Sequence, residues 1–226
     1  MERIHFHQEL EQLRITVLNM AAQAQDAYER ATRAYTNRDA DLAQEVIEGD
    51  SRINQIELEV DKLSLRLLAL EQPMAKDLRM IIGNMKISNE LERIADQAVN
   101  ISERTIFLCQ HPPLEKVHAM ESLIETSRQM LKQAIHSLRD LDARSAGAIR
   151  KMDDEADEYT VQVLKSLIEH IVADAPAIDS RRIKTRRSIQ TIIISRCMER
   201  VADLSTNIGE QVAFIVEGVN IKHQEA

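Results

Sequence analysis

The chain has 226 residues, with 29 Lys+Arg against 37 Asp+Glu for a formal net charge of −8, only five Gly and four Pro, 3% aromatic residues and no Trp. So few turn formers and aromatics exclude an all-β fold, which calls for a turn every ~8–12 residues. At 29% charged and 44% hydrophobic residues the chain can bury a core rather than stay disordered, and its acid excess speaks against nucleic acid as a direct partner, because phosphate binding runs on clustered Lys and Arg.

The prolines fall at three places, Pro73, Pro112-Pro113 and Pro176, and cut the chain into long segments of helical period. In the first, Leu10, Leu13, Val17, Met20, Ala24, Ala27, Ala31 and Ala34 recur at spacings of three and four. After the loop Asn37-Arg38-Asp39, whose Asp is a candidate N-cap, the line restarts as Leu42, Val46, Gly49, Ile53, Ile56, Val60, Leu63, Leu67 and Leu70. A third helix is expected from near Met74 to about Cys109, with Ile87, Leu91, Ile94, Ala98 and Ile101 inward. Past the proline pair the plan returns. Val117, Met120, Ile124, Ser127, Leu131, Ala134, Leu138 and Leu141 line a fourth helix, and Ile149, Met152, Ala156, Tyr159 and Val163 begin a fifth. Ile194, Met198, Val201, Ser205, Ile208 and Val212 lie on a sixth, from roughly Ser180. The predicted fold is all-α, six long helices in two sets of three.

The densest apolar run, Thr191 to Ile194, falls far short of the ~18 residues of a spanning helix. The opening stretch from Met1 to His7 lacks the apolar segment of a secretion signal. Cys109 and Cys197 stand alone without Cys-x-x-Cys spacing, as suits reduced thiols. A cytoplasmic protein is expected.

The two sets match residue by residue. Asp39-Ala40 corresponds to Asp142-Ala143 and Asp50 to Asp153, at an offset of 103. Arg79 corresponds to Arg186, and the ten residues Glu92 to Ile101 correspond to Glu199 to Ile208 with six identities, at an offset of 107. The change of offset predicts a longer loop at Ala173-Asp174-Ala175-Pro176. This is an internal duplication.

Residues four apart share a helix face, so Glu92 lies beside Asp96 and Glu199 beside Asp203, at a mutual repulsion of a few tenths of a kcal/mol. Asp50 with Asn54, and Asp153 with Asp157, repeat the spacing on the preceding helices, and Asn100 with Glu103 and Asn207 with Glu210 extend it. Taken alone, each pair is ordinary solvated charge, which Arg93 or Arg200 could neutralise. Its repetition in both halves points to a strip of hard oxygen donors for cations. The core line leaves Glu92 and Asp96 at its edge, half exposed.

Other motifs are weaker. Arg181 to Arg187 holds five basic residues in seven, without the aromatic interleaving of a nucleic-acid site. No phosphate-binding glycine loop or nucleophile elbow occurs. A ferritin-like di-metal enzyme would use Glu-x-x-His on bundle helices, but Glu2-x-x-His5 and Glu115-x-x-His118 both lie at segment starts. A carboxylate-metal enzyme or a metal store is the alternative reading.

The stretch from Glu71-Gln72-Pro73-Met74 through Lys76-Asp77-Leu78-Arg79 and Met85-Lys86-Ile87 to Glu90-Leu91-Glu92-Arg93-Ile94-Ala95-Asp96 and Asn100-Ile101, with its second copy Glu199-Arg200-Val201-Ala202-Asp203 and Asn207-Ile208, resembles the signature of the PhoU phosphate-uptake regulators. The resemblance runs from Phe6 to about Gly218. It implies two tandem three-helix bundles, residues 1–110 and 111–226, and no enzymatic activity. It also implies acidic motifs able to hold iron or other cations (Mn, Mg, Zn or Ca), here Glu92 with Asp96, Glu199 with Asp203, and Asp153 with Asp157. Asp50-x-x-x-Asn54 departs from that pattern by an amide, and Ala95 and Ala202 stand where Gly is common. The implied role is a cytoplasmic homodimeric adaptor, peripheral to the membrane through its partners. Those partners would be the ATPase subunit of the phosphate ABC transporter and a sensor histidine kinase, and the adaptor would hold the phosphate-starvation response off.

Overall fold

A computed structural model of the chain describes residues 2–172 and 178–218. Among these, six helices follow in order: α1 (Glu2–Asn37), α2 (Ala40–Glu71), α3 (Ala75–Cys109), α4 (His118–Asp140), α5 (Ser145–Val172) and α6 (Ile178–Glu217). The all-α prediction holds. The expected loop at Ala173-Asp174-Ala175-Pro176 lies outside the described residues.

The turns explain why these helices stop where they do. Arg38 and Leu141, equivalent by the duplication, both adopt a left-handed backbone (φ 56° and 51°). Each is followed by an amide that bonds five residues back, Asp39 N–H to the Ala34 carbonyl at 2.9 Å and Asp142 N–H to that of Ser137 at 3.0 Å. This closes the helix end without glycine. Asp39 then caps α2, accepting from the Leu42 amide at 2.9 Å, as its position in the sequence predicts.

α1, α2 and α3 pack together, as do α4, α5 and α6; α3 against α6 and α1 against α4 join the two sets. The predicted inward lines of α3 and α6 are buried throughout. On α2 two expectations fail. Gly49 is exposed, because the line from Val46 to Ile53 passes instead by half-buried Asp50. Leu70 is 71% exposed, because α2 ends one residue later at Glu71, before left-handed Gln72 (φ 43°), and leaves its last turn nothing to cover.

At the join, α3 and α6 run antiparallel. Gly83 sits against Ile215, the Lys86 ammonium lies 5.3 Å over the Phe214 ring, and Arg186 lies 5.2 Å over Phe107. Between α1 and α4 the buried Tyr28 and Ser127 hydroxyls meet at 2.6 Å. Burial pushes the Tyr35 phenol up to about 12, while its hydrogen bond with Thr191 pulls the other way. The α3–α4 connection is tied down by arginines. Arg38 donates to the carbonyls of Leu108 and His111, and Arg187 donates to those of Pro112 at 2.5 Å and Pro113 at 3.3 Å. At least one residue of the basic run is thus structural.

Candidate functional site

In the second half, Asp153 and Asp157 sit one turn apart on α5, and Glu199 and Asp203 one turn apart on α6, the helix that packs on it. The two pairs face each other closely enough to perturb one another. Burial, then the charges of Asp203, Asp157, Asp154 and Glu199, push the Asp153 carboxyl up to about 6. Asp157 is raised by burial and by Glu199, and Asp203 by burial, Glu199 and Asp157, against the pull of Arg200 and Arg93. Among the described residues one direct ion pair relieves the group, Arg196 Nη1 to Glu199 Oε2 at 2.8 Å.

The first half repeats the arrangement with a change of donors. Asn54 donates its amide to Asp50 Oδ2 at 2.8 Å, and Asp50 Oδ1 and Asn54 Oδ1 are buried without a hydrogen-bond partner. Glu92 is raised by burial, then by Asp96, Glu57 and Asp50; Asp96 is raised by burial and Asp50. Asp96 is more exposed than the half-exposed edge position expected for it, whereas Glu92 is half-buried.

Two members of this group are absent from the sequence prediction. Burial, Asp61 and Asp96 raise Glu57, so Glu57 and Asp61 belong to the same strip. They lie seven and eleven residues beyond Asp50, two and three turns along one face, and that spacing was the available signal. The duplication masks it, because Thr160 and Leu164 stand at the corresponding places.

The flanking amides diverge. Asn100 donates to its own helix, at the Asp96 carbonyl (2.9 Å). Asn207 reaches across the join to Glu90 Oε2 at 3.5 Å, an oxygen that also accepts from Arg93 at 2.9 Å. Arg93 acts on Glu92 of one strip and Asp203 of the other, so one cation at the α3–α6 join serves both halves.

These carboxylates are electrostatic neighbours, yet no three His, Cys, Asp or Glu among the described residues converge on one point as a metal-holding group. The side chains form an open acidic strip. The donor set still fits a hard cation chemically: it is oxygen only, its carboxylates outnumber the arginines beside them, and it includes two buried oxygens without partners.

A family model described as the PhoU domain matches residues 17–105 and again 120–212. The chain belongs to the PhoU family. Each matched range holds one complete acidic strip, Asp50 to Asn100 in the first and Asp153 to Asn207 in the second. The phosphate-specific transport system accessory protein PhoU homolog of Aquifex aeolicus is 35% identical over 216 residues, covering 96% of this chain and 95% of its own. The phosphate-specific transport system accessory protein PhoU of Escherichia coli is 31% identical over 220 residues, 96% of this chain and 88% of its own. The crystal structure of PhoU from Pseudomonas aeruginosa superimposes with a TM-score of 0.88 at 30% identity, covering 95% of this chain and all of that one. The regulatory protein PhoU of Streptococcus pneumoniae gives 0.84 at 26% identity, covering 95% and 98%.

PhoU proteins are accessory and regulatory proteins rather than enzymes. In this member the di-metal spacing Glu115-x-x-His118 does not lie on one helix: Glu115 stands in the connection before α4, whose first residue is His118, and is paired with His170 Nε2 of α5 at 3.1 Å. The side chain of Glu2 lies outside the described residues. No helix among the described residues is long and apolar enough to cross a membrane.

Proposed function

We propose that this chain is an accessory regulator of phosphate uptake that couples the ATPase subunit of a phosphate ABC transporter to a sensor histidine kinase. In phosphate-rich conditions it would hold the starvation response off. The observation that carries this reading is the chain-long similarity to accessory proteins of the phosphate-specific transport system, at 31–35% identity over 96% of the chain. A rigid six-helix body with two related halves suits the role. It can hold two partners at once, and a partner that binds one state of the body better biases binding of the other. It would act on the cytoplasmic side, as a homodimer, peripheral to the membrane through its partners. Deleting the gene tests the reading: phosphate-scavenging genes should then be expressed constitutively in phosphate-rich medium, and normal repression in the deletion strain would refute it.

We further propose that the two acidic strips hold metal ions. In the second half the donors are Asp153, Asp157, Glu199 and Asp203, with Asn207 beside them. In the first half they are Asp50, Asn54, Glu92 and Asp96, joined by Glu57 and flanked by Asn100. Support comes from the raised carboxyl pKa values, which a cation would reverse, and from the unpartnered buried oxygens of Asp50 and Asn54. Side-chain rotation would have to bring the donors together. Oxygen donors alone do not choose among iron, Mn, Mg, Zn and Ca. Elemental analysis of the purified protein should find stoichiometric metal that is lost in the Asp96→Ala/Asp203→Ala variant, and equal metal in both proteins would refute the sites.

A further inference from the structure

α2 and α5 are the outer helices, each packed on two neighbours of its own set, so each keeps a face that no other helix among the described residues covers. These faces are not uniformly polar. Leu58 and Leu65 on α2 are 57% and 60% exposed, and Val161 and Ile168 on α5 are 49% and 47% exposed. Seven residues make two helical turns, so each pair lies on one line. Between the members of each pair, one turn from the first, stands an exposed lysine, Lys62 on α2 and Lys165 on α5. Neither lysine is in an ion pair among the described residues. The three positions are separated by 103 residues in every case, the offset that relates Asp50 to Asp153.

Both halves therefore carry apolar–Lys–apolar at the same outward position. Neighbouring surface positions have diverged over the same duplication, Gln55 against Glu158 and Arg66 against Glu169. Solvated side chains are free to drift in this way, while a stripe of three kept in type and order is under a common constraint. Isolated exposed hydrophobics are ordinary; repeated, aligned ones mark contact surfaces.

We propose that the two stripes are equivalent docking sites for one class of partner, a protein helix presenting a carboxylate between two apolar side chains, engaged twice, as by the two subunits of a homodimer. The charge pattern selects this occupant. A second copy of the chain is opposed, because pairing two stripes sets Lys62 or Lys165 against another lysine at the centre of the contact, and like charges placed there are costly. An anionic lipid surface would attract the lysines but meets the acidic strip of Asp50, Glu57 and Asp61 on the same helix, in a chain of net charge −8. A carboxylate between apolar groups satisfies both parts of the stripe. The proposal concerns contact valency and chemistry, and its test reads contact rather than gene repression, so its failure is separable from failure of the regulatory role.

The test uses the full chain in living cells, with a photoreactive benzoylphenylalanine replacing Leu58 in one strain and Val161 in another, followed by mass spectrometry of the cross-linked peptides. Both positions should trap the same segment of the same protein, one bearing an Asp or Glu flanked by apolar residues. Lys62→Glu should lower the yield at position 58 about tenfold or more and leave that at 161 unchanged, and Lys165→Glu should do the reverse. Lys62→Arg should keep the yield, and changing the partner's carboxylate to Lys should restore contact to the Glu variants. Cross-links to lipid, to a second copy of this chain, or to unrelated proteins at the two positions would overturn the proposal. So would the absence of cross-links, or yields indifferent to the charge.

Discussion

Replacing Asp153 by Asn should make the metal-free protein more stable at neutral pH. The Asp153 carboxyl is raised from an ordinary 3.8 to about 6, first by burial and then by the four acids around it. A fully sheltered group so displaced would cost about 3 kcal/mol in its ionised form. Asp153 is half-exposed, and screening by solvent brings the figure down to roughly 1 kcal/mol. Asn keeps the shape and removes the charge, so the variant should gain about that amount, or about 2–4 °C in Tm for a chain of this size. The sign with pH follows from linkage. Because the folded value lies above the unfolded one, the native protein binds the extra proton between them and wild-type stability falls as pH rises through that window. The gain from Asp153→Asn is therefore complete only well above pH 6, shrinks as pH falls toward 3.8, and vanishes below 3.8, where the carboxyl is protonated in both states. Thermal melts of both proteins in a chelating buffer, taken across this range, check the prediction. A variant that is less stable at pH 7.5, or a gain that does not change with pH, would refute the reasoning by showing that ionised Asp153 is already compensated.

Three further outcomes follow from the packing. Ser127 donates to the Leu123 carbonyl at 2.7 Å, so the 2.6 Å contact requires Tyr28 to donate to Ser127. Ser127→Ala then strands a buried hydroxyl and should cost more, about 1–3 kcal/mol, than Tyr28→Phe at about 1 kcal/mol, an order that urea titration would read. A Cβ added at Gly83 would overlap Ile215 Cγ1 and Cδ1. Gly83→Ala should lose about 1–3 kcal/mol, and the double variant with Ile215→Ala should lose less than the sum of the single changes. Asp39→Ala removes the α2 cap and should cost about 1 kcal/mol by chemical denaturation.

Much of this protein was already determined by its sequence. A helical period is a property of one segment, so the inward lines through Ile87, Leu91 and Ile94, or Met198, Val201 and Ser205, could be drawn without knowing what they pack against. The duplication was legible for the same reason, since it needs only comparison of the chain with itself, and the resemblance that named the family rests on the residues of that repeat. Pairing within a helix, as of Glu92 with Asp96, was fixed by 3.6 residues per turn.

Tertiary structure decided whatever depends on two helices at once. The core line on α2 passes by Asp50 rather than Gly49 because the faces of α1 and α3 set its rotation. Glu57 joins the first strip because α3 lies against it, although nothing at Thr160 in the second half announces an acid there. Asn207, equivalent to Asn100 in sequence, turns to Glu90 because the antiparallel α3–α6 join brings that carboxylate within reach, and the same join lets Arg93 act on both strips. The distances between carboxylates also came only from the packing. Spacing along a helix sets which face a side chain takes, while the approach of two helices sets how far apart their side chains stand and how much water remains between them. That is why Asp153 is raised to about 6 and why the acids form a strip rather than a closed cluster.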